Sequence, residues 1–240
     1  MTPPLFLVDA LPAADRFALG GDEGRHAARV RRLAVGEALV VGDGRGALAD
    51  CVVVGTLGEG LSVRVTGRRS VAPAQPRLTV VQALPKGERA ELAVETMTEL
   101  GVDEIVPWAA ARCVTQWQGA RGDKALERWR RTAREASKQS RRAWVPTVSA
   151  LADTAGVAAR MGAALVLHES ATTTLASVPL PAAGELLVVV GPEGGVTDAE
   201  LTAFAAAGAI AVRLGEPVLR TSTAGAAALA GLSLRLGRWG

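Results

Sequence analysis

The residues in this chain best suited to chemistry sit in two segments, the glycine-rich turn Gly191-Pro192-Glu193-Gly194-Gly195 and, further along, the stretch from Leu214 to Ala224. Glycines accept positive φ and let backbone amides approach a ligand with no Cβ in the way. Glu193 offers a carboxylate and Arg220 a guanidinium beside such amides. No lysine follows the glycines, which excludes a Walker phosphate loop. Gly42-Asp-Gly44-Arg-Gly46 is followed by strand-like residues, so it reads as a hairpin turn and not as a dinucleotide fingerprint. The glycines at 191–195 also suit a tight strand-to-helix turn with no ligand, so both readings stand on this segment alone.

The elements that must carry these segments are legible around them. Leu186–Val190 is continuously apolar and largely β-branched, as expected of a central parallel strand covered on both faces. Thr197 and Glu200 form a T-x-x-E capping box, which marks the next helix start. A strand near Ala209–Val212 leads into the second segment, and an alanine- and leucine-rich helix follows to about Leu236. A third apolar strand, from Ala163 to Leu167, ends in His168-Glu169. Upstream, Arg77–Leu84 and Val102–Trp108 read as strands. Between them a helix from about Arg89 turns Leu92, Ala93, Thr96 and Leu100 to one face and stops at Gly101. Asp123 is the expected N-cap of a further helix running to roughly Arg142. Its Leu126, Trp129, Ala133 and Ala136 fall on one arc, and Arg130, Arg131, Arg134, Lys138 and Arg141 on another. Strands alternating with helices predict an α/β fold with a mostly parallel sheet, ligands binding at the carboxyl ends of its strands. His168-Glu169, the glycine turn and the Leu214–Thr223 loop then converge on one pocket.

The first 72 residues have a different character. Short strands over Leu39–Val41, Leu48–Val54 and Leu61–Val65, interrupted by a helical turn around His26–Leu33, predict a small β-rich domain, 1–72. The proline-containing connector Val71–Pro76 separates it from a domain over 73–240. A chain of 240 residues that is 49% hydrophobic has enough apolar material for such cores. Without an apolar run of about eighteen residues or a charged-then-apolar leader, it reads as cytoplasmic, with no membrane partner. Cys51 and Cys113 are isolated, which predicts reduced thiols and no metal site. The net charge is only +3, but Arg121–Arg142 holds nine basic residues against three acidic ones, and Arg25, Arg29, Arg31 and Arg32 form a second cluster. Such patches suit a polyanion, since each phosphate contact releases counterions; they equally suit a solvated helix face.

The glycine turn, followed by LG-x-x-VLRT-x-TA at Leu214–Ala224, resembles the SPOUT RNA methyltransferases. The resemblance extends through His26-x-x-Arg29-Val-x-Arg32, Lys86-Gly87-Glu88 with Glu99-Leu-Gly-Val102, Arg112-Cys113 and Gln139-Ser140-x-Arg142-x-x-x-Pro146. It departs at Ser222, where the family often has an acidic residue, so no role is assigned there. The resemblance implies a PUA-like RNA-binding domain followed by an α/β domain with a deep trefoil knot. It also implies a homodimer, with S-adenosylmethionine held bent by three loops: Leu167, His168 and Glu169; Gly191 to Gly195; and Leu214, Gly215, Val218, Leu219, Thr221, Thr223 and Ala224. His26, Arg29, Arg32, Lys86, Gln139 and Arg142 are the implied RNA contacts.

The implied reaction is methylation of N3 of a uridine in small-subunit (16S) ribosomal RNA. A deprotonated imide needs its charge stabilised, and Arg220 is the candidate for that role. Glu193 is the candidate for ligand contact or proton removal, with the general base unassigned. Each has a structural alternative, Arg220 as a cap or ion-pair partner and Glu193 as an acceptor for loop amides. Two other functions fit parts of the sequence: a SPOUT enzyme acting on another nucleotide, and a non-enzymatic RNA-binding or assembly factor, which leaves both glycine-rich loops without a purpose.

Overall fold

Two sheets organise the chain in the computed structural model, which describes residues 2–87 and 89–239. Glu88 of the Lys86-Gly87-Glu88 motif lies outside the described residues. The chain divides into two units, Met1–Pro73 with Ser137–Val145, and Ala74–Ala136 with Pro146–Gly240.

In the first unit β1 (Leu5–Leu7), β2 (Arg16–Leu19), β3 (Ala38–Gly42), β4 (Ala47–Leu57) and β5 (Gly60–Ser70) form a sheet of order β1-β3-β4-β5-β2, antiparallel except for the β1–β3 pair. The glycines at 42–46 lie in the β3–β4 hairpin connection, as their dipeptide chemistry predicts. A short helix α1 (Gly21–Arg25) continues as a π-helical turn over His26–Val30. Alternating residues Leu39, Val41, Cys51, Val53, Leu61 and Val63 close over Phe6 and Leu19 to make the core. Burial pushes the Cys51 thiol up to about 11, and both cysteines are free.

Composition groups residues 137–145 with the second domain, yet they pack in the first unit. Ala143 and Val145 lie against Leu5, Leu7 and Leu48. The amides of Gly46 and Val145 donate to the Ala143 and Gly44 carbonyls, both at 3.0 Å, and the Trp144 indole donates to the Val71 carbonyl at 2.8 Å.

The second unit holds six parallel strands, β6 (Arg77–Ala83), β7 (Glu104–Trp108), β8 (Thr147–Val148), β9 (Ala163–Leu167), β10 (Glu185–Val190) and β11 (Ile210–Val212), in the order β11-β9-β10-β6-β7-β8. β10 lies between β9 and β6, and Leu186–Val190 are all buried. The helices are α2 (Arg89–Glu99), α3 (Gly119–Gln139), α4 (Thr154–Ala158), α5 (Asp198–Ala206) and α6 (Thr221–Arg235). One core gathers Leu78, Val80, Met97, Ile105, Trp129 and Leu229, and the other Val81, Trp108, Val166, Leu187, Val189 and Phe204. No described helix is long and apolar enough to cross a membrane.

Three helix expectations change. α2 buries Ala93, Val94, Met97 and Thr98 and leaves Leu92 half exposed, because its inner face meets α6 at Gly225, where a Cβ would lie 2.8 Å from the Met97 sulfur. α3 begins at Gly119, a full turn before Asp123. The buried Gly122 packs on Trp117, which meets Trp129 edge to face at 4.9 Å. Trp129, Ala133 and Ala136 are buried as their spacing predicts, but Lys138 leaves the solvated arc. Its ammonium lies 2.9 Å from the half-buried Glu23 carboxylate, within the first unit.

Candidate active site

At the carboxyl edge of the second sheet the chain turns from β10 into α5 through Gly191–Thr197, and the sequence dictates the turn residue by residue. A Cβ on Gly191 would lie 2.7 Å from the Val196 side chain, and one on Gly194 would lie 3.0 Å from Arg112 Cβ. Gly195 alone of the three takes positive φ, at +75°; the other two are required for close approach. Its amide donates to the Pro192 carbonyl at 2.9 Å. The helix behind the turn is fixed by the full Thr197–Glu200 capping box.

Glu200 does more than cap. Its buried Oε1 also accepts the Ala111 amide at 2.8 Å, which ties the β7 end to the glycine turn. Burial alone pushes this carboxyl upward, but the Ala111 and Thr197 amides with the Thr197 and Thr154 hydroxyls hold it below the usual carboxylate range.

The three predicted loops converge. They line a cavity of about 600 Å³ with Leu167, His168 and Glu169 on one side, Gly191–Val196 on the second and Leu214, Gly215 and Val218–Thr221 on the third, with Ala224 behind. That volume lies within the range for small-molecule sites, about 300–1,000 Å³. Thr223 is not among the lining residues; it is exposed in the first turn of α6, its amide donating to the Arg220 carbonyl at 2.8 Å. Ser222 is buried and lines the cavity.

Arg220 stands at the N-cap of α6 without a side-chain capping bond, and it is exposed at the cavity. Its backbone starts the helix, and its side chain makes no capping bond. Arg213, by contrast, is paired with Glu216 at 3.0 Å. Glu193 is also exposed, and its Oε1 accepts the Lys86 amide at 3.1 Å. It therefore binds the β6–α2 loop to the glycine turn, as the structural alternative anticipates, while still lining the cavity. His168 Nδ1 is engaged by the Ser170 hydroxyl at 2.9 Å.

Residues that the sequence does not single out for the site also line it, chiefly Arg89, Arg112 and Arg213. Arg112 Nη1 donates to the Gly194 carbonyl at 2.9 Å from 82 positions away in the chain. Its only signal is its place in the Arg112-Cys113 motif, because no local spacing brings it to the turn. Burial of Cys113 pushes its thiol up, so it is not a ready nucleophile.

The expected RNA contacts divide between the units. His26, half-buried, meets Phe6 edge-on at 5.9 Å. Arg29 is exposed and paired with Glu59 at 2.7 Å, and Arg32 is exposed with φ +53°. Gln139 and Arg142 belong to the same first unit, whereas Lys86 lies in the second, exposed and beside the cavity without lining it.

Comparison with known proteins adds independent findings. An RNA methyltransferase domain family matches residues 73–233, and an RNA methyltransferase PUA domain family matches residues 19–65. Ribosomal RNA small subunit methyltransferase E of Mycobacterium bovis is 51% identical, covering all of this chain and 94% of its own length. The protein of that name in Bacillus subtilis is 31% identical, covering 92% of this chain and 90% of its own length. Among solved structures, that of ribosomal RNA small subunit methyltransferase E from Neisseria gonorrhoeae, bound to S-adenosyl methionine, superposes with TM-score 0.87 at 26% identity over 98% of each chain.

Proposed function

This chain belongs to the RNA methyltransferase family, and from that premise we propose that it transfers a methyl group from S-adenosylmethionine to N3 of a uridine in 16S ribosomal RNA. The observation that carries the reading is the cavity where three strand-end loops meet, walled by a turn whose Gly191 and Gly194 admit no Cβ without a clash and whose Gly195 takes positive φ, and opened to Arg220.

The residues present fit the cofactor. Gly194 and Gly195 leave backbone free to approach it, Leu167 and Leu219 offer apolar surface, and Glu169, Glu193 and Asp198 balance a cationic ligand. When bound, S-adenosylmethionine supplies an electrophilic sulfonium methyl. This chain's part is to hold the uridine in line with that methyl and to favour its N3 anion. Arg220 lowers the energy of that anion as the imide proton leaves. Glu193 is the carboxylate placed for ligand contact or proton removal. The target base must be unstacked to reach the cavity, as single-stranded or flipped nucleotides are.

The same reading has a PUA-like domain holding small-subunit RNA through His26, Arg29, Arg32, Gln139 and Arg142, with Lys86 at the site. It includes the trefoil threading of the C-terminal segment, a cytoplasmic location with the ribosome, and a homodimer. Exposed Val218, Leu234 and Trp239 give that dimer apolar surface to bury. Calorimetry tests the reading at its base: S-adenosylmethionine should bind one site per chain, and binding of ATP or NAD in its place would contradict it.

A further inference from the structure

The first unit carries a second cluster of arginines that no expected RNA contact includes. A cleft of about 670 Å³ lies among the β1–β2 connection, the β3–β4 turn and the end of β5, lined by Arg45, Arg68 and Arg69 with Asp9 and Asp43 over Leu48. One oxygen of the Asp43 carboxylate, Oδ1, is held within its own turn, where it accepts the Arg45 and Ala47 amides at 2.7 and 3.1 Å. Arg68 is anchored through one nitrogen, Nη2, which donates to the Ala13 and Ala14 carbonyls at 2.9 Å each. The rest of its fork remains for a ligand. Arg69 makes a half-exposed pair with Asp50, a kind of interaction that a polyanion exchanges at little cost.

An independent observation lies on the β2–β5 pair, further along the strand that carries Arg68 and Arg69. Arg16 on β2 and Arg64 on β5 are directly opposite in the antiparallel register, and both are exposed. Like charges in that position destabilise a strand pair, and a row of phosphates would relieve them. At the other end of β5 stands Arg29, beside Glu59 in the β4–β5 turn. The eleven residues of β5 span about 35 Å at roughly 3.3 Å per residue.

We propose that this cleft is a second seat for the RNA phosphate backbone, so that an RNA held at Arg29 and Arg32 runs along β5 to Arg45, Arg68 and Arg69. The inference rests on the RNA-methylating reading above, and its test separates the two. The double variant Arg45→Ala, Arg69→Ala removes exposed side chains and one surface pair, so its melting temperature should match the parent's. Binding of a small-subunit ribosomal RNA transcript, followed across a salt titration, should weaken. Its log–log slope should become shallower by about 0.7–0.9 for each phosphate that is no longer neutralised. S-adenosylmethionine affinity should not change. A parent that binds and methylates the RNA while the double variant keeps the parental slope and affinity overturns the inference alone. A parent that binds no RNA overturns the reading and the inference together.

Discussion

At the scale of single residues, Arg220 is the most exacting point of the account. It begins α6 with its backbone and leaves its side chain exposed at the cavity, so removing the side chain deletes charge without deleting a cap. Arg220→Ala should reduce single-turnover methylation by about 10²- to 10³-fold, the usual loss for one positioned donor. Affinity for S-adenosylmethionine should stay near the parent's. Lysine should rescue only partly, since a point charge does not reproduce a planar fork, and raising the pH should restore some rate by supplying more uridine anion. A loss confined to cofactor binding would instead make Arg220 part of the pocket wall. The glycines give a second test. Gly195→Val forces a branched residue to φ +75°, a strain on the order of 1–3 kcal/mol. Gly194→Val drives its side chain into Arg112 and disturbs the bond that Arg112 makes to the turn. Cofactor affinity, measured by calorimetry, should fall in both while the circular dichroism spectrum is kept.

At the scale of elements, what the sequence reveals and what it conceals follow from range. β10, the capping box on α5 and the β3–β4 hairpin are specified by neighbours a few residues apart, and each stands where local chemistry puts it. The buried face of α2 escapes local spacing because the partner that selects it, Gly225 on α6, is far away in sequence. Lys138 reads as solvated because the carboxylate that holds it, Glu23, is 115 positions distant. The site shows the same division: three glycine-rich or polar strand ends are legible, while Arg112 reaches the turn only through the fold.

Long-range charge also ties the opposite end of the sheet. Glu104 on β7 is buried, bonded to the Arg160 guanidinium at 2.8 Å and to the Ser149 hydroxyl, with Arg77 at 2.8 Å. Burial pushes its carboxyl up, but those bonds and charges win and hold it below the usual range. A carboxyl depressed in the folded state contributes stability above its unfolded value, about 4.3, and loses it as pH falls through the folded value. The second unit should therefore weaken below about pH 4. Glu104→Gln should cost on the order of 1–3 kcal/mol at pH 7 and flatten that acid limb. A parental acid profile in urea melts of the variant would show that Glu104 does not contribute to it.

At the scale of the whole molecule, the first unit is not a contiguous stretch of chain. Residues 137–145 complete it, covering Leu5, Leu7 and Leu48 and supplying the Trp144 bond to Val71. The connector near residue 72 is visible as a proline-containing composition change, whereas the returning segment carries no compositional mark. A chain ending at Pro73 should therefore expose an apolar face and fold poorly, and a peptide spanning 137–145 added in trans should raise its melting temperature. No shift on adding the peptide would mean that the segment rides on the unit without stabilising it.

The measurement that bears most directly on the central claim joins cofactor, RNA and reacting atom. Small-subunit ribosomal RNA would be incubated with the protein and S-adenosylmethionine carrying an isotopically labelled methyl group, digested to nucleosides, and read by mass spectrometry. Labelled 3-methyluridine should form with the parent and form about 10²- to 10³-fold more slowly with Arg220→Ala. Label in a different nucleoside, or an RNA left unlabelled by a protein that binds both partners, would contradict that claim.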